Sequence, residues 1–164
     1  MRLFVAVRPA AHVLDALERL PRDAPSSVRW TTRDQWHVTL RFLGDVEDPA
    51  PVLDAVLRAV AGAGATAVEL GPRAVKLGAD VIVLPVRGLD DVATAVTAAT
   101  RDVGVPPARR AFRGHVTLAR TRGGPVDLAP LRVEESWLAH DVEVVRSHLG
   151  RGGARYETLG RIPF

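Results

Sequence analysis

The sequence predicts an α+β fold with helices packed on antiparallel sheets. Strand-like runs outnumber helix-like runs, and the turn at Gly78-Ala79-Asp80 favours antiparallel neighbours over a doubly wound parallel sheet. One short motif occurs twice, about half a chain apart, which indicates two similar lobes. Because no linker or low-complexity tract divides the chain, we expect residues 1–164 to form a single two-lobed domain.

The predicted strands are short segments rich in β-branched and aromatic residues. The run RLFVAV opens the chain, and the segment 36–43 alternates between polar and apolar residues until Gly44 ends it. The full set comprises 2–7, 28–32, 36–43, 66–75, 81–86, 115–120, 142–149 and 156–162, with a glycine-rich loop expected at 150–153.

The predicted helices have apolar residues at amphipathic spacing and recognisable ends. Pro21 ends the first, Asp48 and Pro49 suit the N-cap and first position of the second, and Gly104 ends the third. The three helices are expected at 10–20, 48–62 and 89–103.

The composition excludes several classes of protein. The chain has no cysteine, so disulfides and thiolate metal sites are excluded. No apolar run approaches the ~20 residues of a membrane span, and the N-terminus lacks the apolar segment of a signal peptide. These features predict a cytoplasmic protein that does not enter membranes.

The basic residues are almost all arginine: Lys76 is the only lysine among 22 lysines and arginines. A genomic bias explains such an excess, but the segment 109–122 also contains no acidic residue, and local positive charge attracts phosphate. A solvated loop tolerates the same composition, so this segment alone identifies no ligand.

The repeated motif is HVTL, at 37–40 and again 78 residues later at 115–118. Side chains alternate along a strand, so one face is expected to hold His37, Thr39 and Arg41, and the other Val38, Leu40 and Phe42. By the same rule, the second copy is expected to place His115 and Thr117 on a polar face. Val116 and Leu118 then lie on the opposite, apolar face. We expect the polar faces to meet across one cleft.

Two histidines and two threonines suit phosphoryl chemistry without a metal. Imidazole titrates near neutral pH, so one ring can act as base while the other acts as acid. Threonine hydroxyls can donate hydrogen bonds to phosphate oxygens and stabilise charge in the transition state. Paired histidines also bind metals, but such sites usually add a carboxylate or cysteine, and here the residue two positions on is threonine in both copies. We therefore predict neither metal nor cofactor.

These motifs resemble the two-histidine phosphoesterases, most closely the RNA 2′,3′-cyclic phosphodiesterases, also called 2′-5′ RNA ligases. The resemblance spans the chain, through RLFVAV, HVTLRFLG, FRGHVTLAR and YETLGRIPF. One departure is Gly114, where the family commonly has proline before the second histidine.

The resemblance implies a bilobal fold with a pseudo-twofold axis, two sheets with helices on their outer faces, and a central cleft. It also implies a metal-independent hydrolase of RNA processing that opens 2′,3′-cyclic phosphate ends to 2′-phosphomonoesters, and in reverse joins RNA through 2′-5′ bonds. His37 is then the acid for the leaving 3′-oxygen, and His115 the base that activates water. Arg120 is similar to an arginine that contacts the phosphate, a role that requires a bend because strict alternation places it opposite His115.

Two alternatives stay open at this point. Phe4 either packs in the core or reaches the cleft to stack on a base. The chain is either an enzyme acting on RNA ends or small cyclic nucleotides, as a monomer, or a catalytically idle RNA-end binder that uses the same cleft.

Overall fold

The computed structural model describes residues 1–23, 25–151 and 153–164. Among these residues it contains strands β1 to β10, helices α1 to α3 and one 3₁₀ turn. The strands are Arg2–Val7, Val28–Trp30, Val38–Asp45, Thr66–Leu70, Val75–Leu77, Val81–Arg87, His115–Thr121, Glu135–Ala139, Asp141–Gly150 and Gly153–Pro163. The helices are Ala11–Glu18, Ala50–Val60 and Asp90–Ala99, and the 3₁₀ turn is Arg33–Gln35.

The predicted α+β class is confirmed, but the strands form one curled antiparallel sheet rather than two. Their order is β10-β9-β1-β3-β7-β6-β4-β8, with β2 beside β7 and β5 beside β6. At the centre of this order β3 and β7 pair at a single position, Val38 opposite Val116. These two valines occupy the same place in the two HVTL copies. An approximate local twofold axis therefore passes between them, with four strands of the order on each side.

The sheet packs most of its apolar residues against the helices. Helix α1 contacts β8, α3 contacts β3, and α2 contacts α3 and β10. On β1 the residues Leu3, Val5 and Val7 enter this main core. The alternate residues Phe4 and Ala6 instead form a small second cluster on the opposite face, with Val145 of β9 and the partly buried Tyr156.

Both HVTL copies contain a β-bulge at the same residue. In β3, Val5 pairs with Arg41 and Ala6 with Thr39, so Leu40 has no partner on β1. In β7, Ile82 pairs with Ala119 and Val83 with Thr117, so Leu118 has no partner on β6. An extra residue reverses the alternation beyond it.

The bulge in β3 makes the predicted faces of Arg41 and Phe42 wrong. Arg41 is buried, at 6% exposure, and its guanidinium donates hydrogen bonds to the carbonyl oxygens of Phe42, Val103 and Val105. Phe42, expected in the core, is 38% exposed. The strand parity inferred from the sequence holds only as far as Leu40.

The remaining differences lie at strand limits. The predicted strand 66–75 is interrupted at Gly71-Pro72, where Gly71 has φ +99° and Pro72 has no N–H to donate. Strand β8 was not predicted. In the loop expected at 150–153, Gly152 lies outside the described residues, and β10 begins at Gly153. No helix in the described part of the chain is long and apolar enough to cross a membrane.

Candidate active site

The structure brings all five predicted site residues to one cleft of about 490 Å³. His37, Thr39, His115, Thr117 and Arg120 line it together. The bulge at Leu118 supplies the bend that Arg120 requires, because it returns Arg120 to the face of the other four. No acidic side chain lines the cleft in the part of the chain that the structure describes. The cleft therefore suits an anionic ligand.

The two histidine rings are held in the same way. Nδ1 of His37 lies 2.7 Å from the carbonyl oxygen of Gln35, and Nδ1 of His115 lies 2.7 Å from that of Arg113. Because a carbonyl oxygen only accepts hydrogen bonds, each Nδ1 carries a hydrogen. Nε2 of each ring is then the atom that can accept or donate a proton.

His37 packs within an aromatic cluster. Phe4 stacks on its ring, with centroids 4.7 Å apart and an interplanar angle of 30°. Tyr156 meets the His37 ring edge-on at 5.1 Å and the Phe4 ring edge-on at 5.2 Å. Phe4 is only 5% exposed, so it supports the histidine and is not open for stacking on a base.

This burial lowers the pKa of His37 to about 4, because removal from water disfavours the charged imidazolium. Electrostatic interactions with Arg8 and His115 lower the pKa of His37 further, while the Gln35 carbonyl and the Glu143 carboxylate oppose the shift. His37 is therefore neutral at neutral pH in the protein alone.

Gln35 is a site residue that the sequence interpretation missed. Its carbonyl holds His37, its side-chain oxygen accepts the Thr32 N–H at 3.1 Å, and its amide nitrogen donates to the Ala154 carbonyl at 2.7 Å. Thr32 and Gln35 form a capping box around the 3₁₀ turn. The T-x-x-Q sequence at 32–35 is the signal that could have identified it.

Thr31, also missed, lies beside the bulge of β7. Its Oγ1 is 2.7 Å from the Thr117 carbonyl oxygen and 2.8 Å from that of Leu118. A bulge leaves backbone groups without ladder partners, and this hydroxyl supplies one. Thr31 thus supports the segment that carries Thr117.

The donor groups in the cleft do not form a metal site of the usual kind. Among the described residues, no three histidine, cysteine, aspartate or glutamate side chains lie together as a metal site would require. The other polar side chains that the two HVTL copies bring to the cleft are threonines, which suit phosphate oxygens better than a zinc ion.

Comparison with known proteins agrees with this geometry. The family model of the LigT-like phosphoesterases matches residues 5–75, which include the first HVTL copy. Crystallised LigT of E. coli, in complex with 3′-AMP, is 27% identical with a TM-score of 0.78, over 99% of this chain and 97% of that chain.

The chain is thus similar to the LigT-like phosphoesterases in sequence over residues 5–75 and to E. coli LigT in fold.

Two further known proteins are similar to this chain. A protein named RNA 2′,3′-cyclic phosphodiesterase, from Geobacillus stearothermophilus, is 28% identical over 98% of the chain. The chain spans 56% of the length of that relative. A crystallised protein of Thermus thermophilus shares the fold, with a TM-score of 0.83 at 24% identity, covering 99% of this chain and 97% of that one.

Proposed function

We propose that the chain hydrolyses RNA 2′,3′-cyclic phosphate ends to 2′-phosphomonoesters by acid–base catalysis between His37 and His115. The observation that carries the proposal is one cleft, lined by no acidic side chain among the described residues, in which two histidines held through Nδ1 lie with Thr39 and Thr117. The relative named RNA 2′,3′-cyclic phosphodiesterase supports the choice of substrate.

In the proposed reaction, Nε2 of His115 removes a proton from water as the water oxygen attacks phosphorus. The bond between phosphorus and the 3′-oxygen breaks, and Nε2 of His37 donates a proton to that oxygen. The phosphate stays on the 2′-oxygen. Thr39 and Thr117 donate hydrogen bonds to the non-bridging oxygens, and Arg120 adds positive charge to the same cleft. With a 5′-hydroxyl in the place of water, the same steps open the cyclic phosphate into a 2′-5′ phosphodiester bond, and the 3′-oxygen again leaves with a proton.

The low pKa of His37 constrains this assignment of roles. An acid must carry its proton when substrate is bound, whereas His37 alone is neutral at neutral pH. A phosphate monoanion about 4 Å away, at an effective dielectric constant of about 20, stabilises the imidazolium by about 4 kcal/mol. That energy corresponds to about three pH units. Binding of the anionic substrate can therefore raise the pKa of His37 enough for the ring to be protonated and to act as the acid.

The experiment that tests the proposal follows a 2′,3′-cyclic mononucleotide by ³¹P NMR, with and without a chelator. We expect a 2′-phosphate product and equal rates in both conditions. A 3′-phosphate product would assign a different leaving oxygen, and loss of activity with rescue by one divalent metal would contradict the metal-free mechanism. Binding without turnover would instead identify an RNA-end binder.

We propose a single two-lobed domain that acts as a cytoplasmic monomer on RNA ends. The cleft lies around β3 and β7 of one chain, so all five predicted site residues come from a single copy. Light scattering at working concentration, together with activity that is proportional to protein concentration, tests this assembly.

A further inference from the structure

Two arginines lie directly opposite each other at one wall of the cleft. Strand β2 pairs with β7 so that Arg29 faces Arg120, and both line the cleft. Directly opposed residues share a face of the sheet, with Cβ atoms about 4.5–5.5 Å apart. Like charges in this arrangement destabilise a sheet, and Arg120 has no carboxylate partner among the described residues. The pair therefore favours an anion between or above the two guanidinium groups.

The position of Arg29 is defined by the hairpin of β9 and β10. Its guanidinium lies against Gly153, which has φ +105°, and a side chain at 153 would overlap the guanidinium. Gly153 also lines the cleft, as do Gly150 and Ala154. The glycine thus leaves room for a cation at the edge of the cleft, on the wall that also carries Arg120.

The spacing along β7 separates this pair from the reacting phosphate. Arg120 lies three residues beyond Thr117, at most about 10 Å of extended strand, which is of the order of one nucleotide. Arginine binds phosphate oxygens through two parallel hydrogen bonds, so two neighbouring guanidinium groups can enclose a phosphodiester.

We propose that Arg29 and Arg120 form a subsite for the phosphate on the 5′ side of the terminal nucleotide, so that an oligonucleotide end is a better substrate than a cyclic mononucleotide. The inference rests on the proposed function, and it assigns Arg29 to substrate selection. The two guanidinium groups would also bind a 5′-phosphate monoester. A cyclic mononucleotide that carries a 5′-phosphate is therefore the smallest substrate that tests the subsite.

The test compares kcat/KM for three substrates: cytidine 2′,3′-cyclic phosphate, the same nucleotide with a 5′-phosphate, and a trinucleotide ending in a cyclic phosphate. We expect the second and third to exceed the first by about 10-fold, mainly through KM, since one charge-assisted contact contributes about 1.5 kcal/mol or more. In Arg29→Gln this advantage should fall to about twofold. For the trinucleotide, the slope of log kcat/KM against log salt concentration should become shallower by about one in Arg29→Gln, because one phosphate contact is lost.

The matched control is Arg58→Gln, which removes an exposed arginine on α2 and should preserve the advantage. Equal rates on all three substrates in the unaltered protein would overturn the subsite, and so would an equal loss on all three in folded Arg29→Gln. If no substrate is hydrolysed at all, the proposed function fails rather than the subsite. Because the unaltered protein alone can refute the inference, the test does not depend on the variant folding.

Discussion

The two halves of the cleft share a backbone and differ in their surroundings. Each contributes a histidine held by the carbonyl two residues earlier, a threonine, and a bulge at the leucine of HVTL. Beyond the bulge the equivalent positions diverge: Phe42 in the first half corresponds to Arg120 in the second. The repeat therefore determines where the reactive groups lie, and the unrepeated neighbours determine their chemistry.

The sharpest difference concerns the histidines. His37 is enclosed by Phe4 and Tyr156, while no aromatic ring stacks on His115 among the described residues. The position on β6 equivalent to Phe4 is Val81, which cannot stack. The first half thus supplies a histidine that is neutral at neutral pH in the protein alone.

The largest expected effect comes from removing either imidazole. His37→Ala and His115→Ala should each lower kcat by about 10²–10⁴, the usual contribution of a positioned acid or base. His140→Ala, at an exposed position outside the cleft, is the control and should retain normal turnover. Near-full activity in either folded cleft variant would remove the two-histidine mechanism.

Stability should depend on pH through His37 in a predictable direction. The unfolded chain takes up the proton near pH 6.5 and the folded chain only near pH 4, so the folded state loses stability as pH falls through this window. The difference corresponds to about 3 kcal/mol. Urea unfolding at pH 7 and pH 4 should show that His37→Gln loses less stability than the unaltered protein. Equal losses would contradict the buried, neutral state of His37.

The threonines provide the next effect and test the symmetry of the halves. Thr39→Val and Thr117→Val preserve shape and remove one hydroxyl donor each, so kcat should fall by about 10² in both. Thr94→Val, on the exposed surface of α3, serves as the control. A loss confined to one variant would show that the phosphate sits against one half only.

The smallest effect should come from Gln35, which holds His37 from one side only. Gln35→Leu removes the side-chain bonds to Thr32 and Ala154 and should lower kcat by at most about 30-fold, at roughly 1 kcal/mol for each of the two bonds. Because the His37 ring would become more exposed, its pKa should rise, which a pH–rate profile detects. Gln35→Glu keeps the acceptor for Thr32 and should recover part of the rate. An unchanged profile would make Gln35 purely structural.

Sequence predicted the fold class and identified five residues that the fold brings to one cleft, because the HVTL repeat combines chemistry with strand periodicity. The roles of these five residues in catalysis and binding stay predictions. It did not predict the exchange of Arg41 and Phe42, since a bulge adds one residue without any compositional signal. The single sheet was also unpredictable, because it depends on one contact between Val38 and Val116, distant in sequence. The aromatic support of His37 by Tyr156 depends equally on distant segments.

An NMR pH titration of the two imidazole rings, with and without a nucleoside 2′-phosphate, shows whether the two histidines differ and whether both respond to one phosphate. We predict that His37 titrates near pH 4 in the protein alone. With ligand, its pKa should rise by about three pH units, and the resonances of both His37 and His115 should move. A response from only one ring, or a His37 that titrates near its ordinary value of about 6.5 without ligand, would contradict the account of two unequal histidines acting on one phosphate.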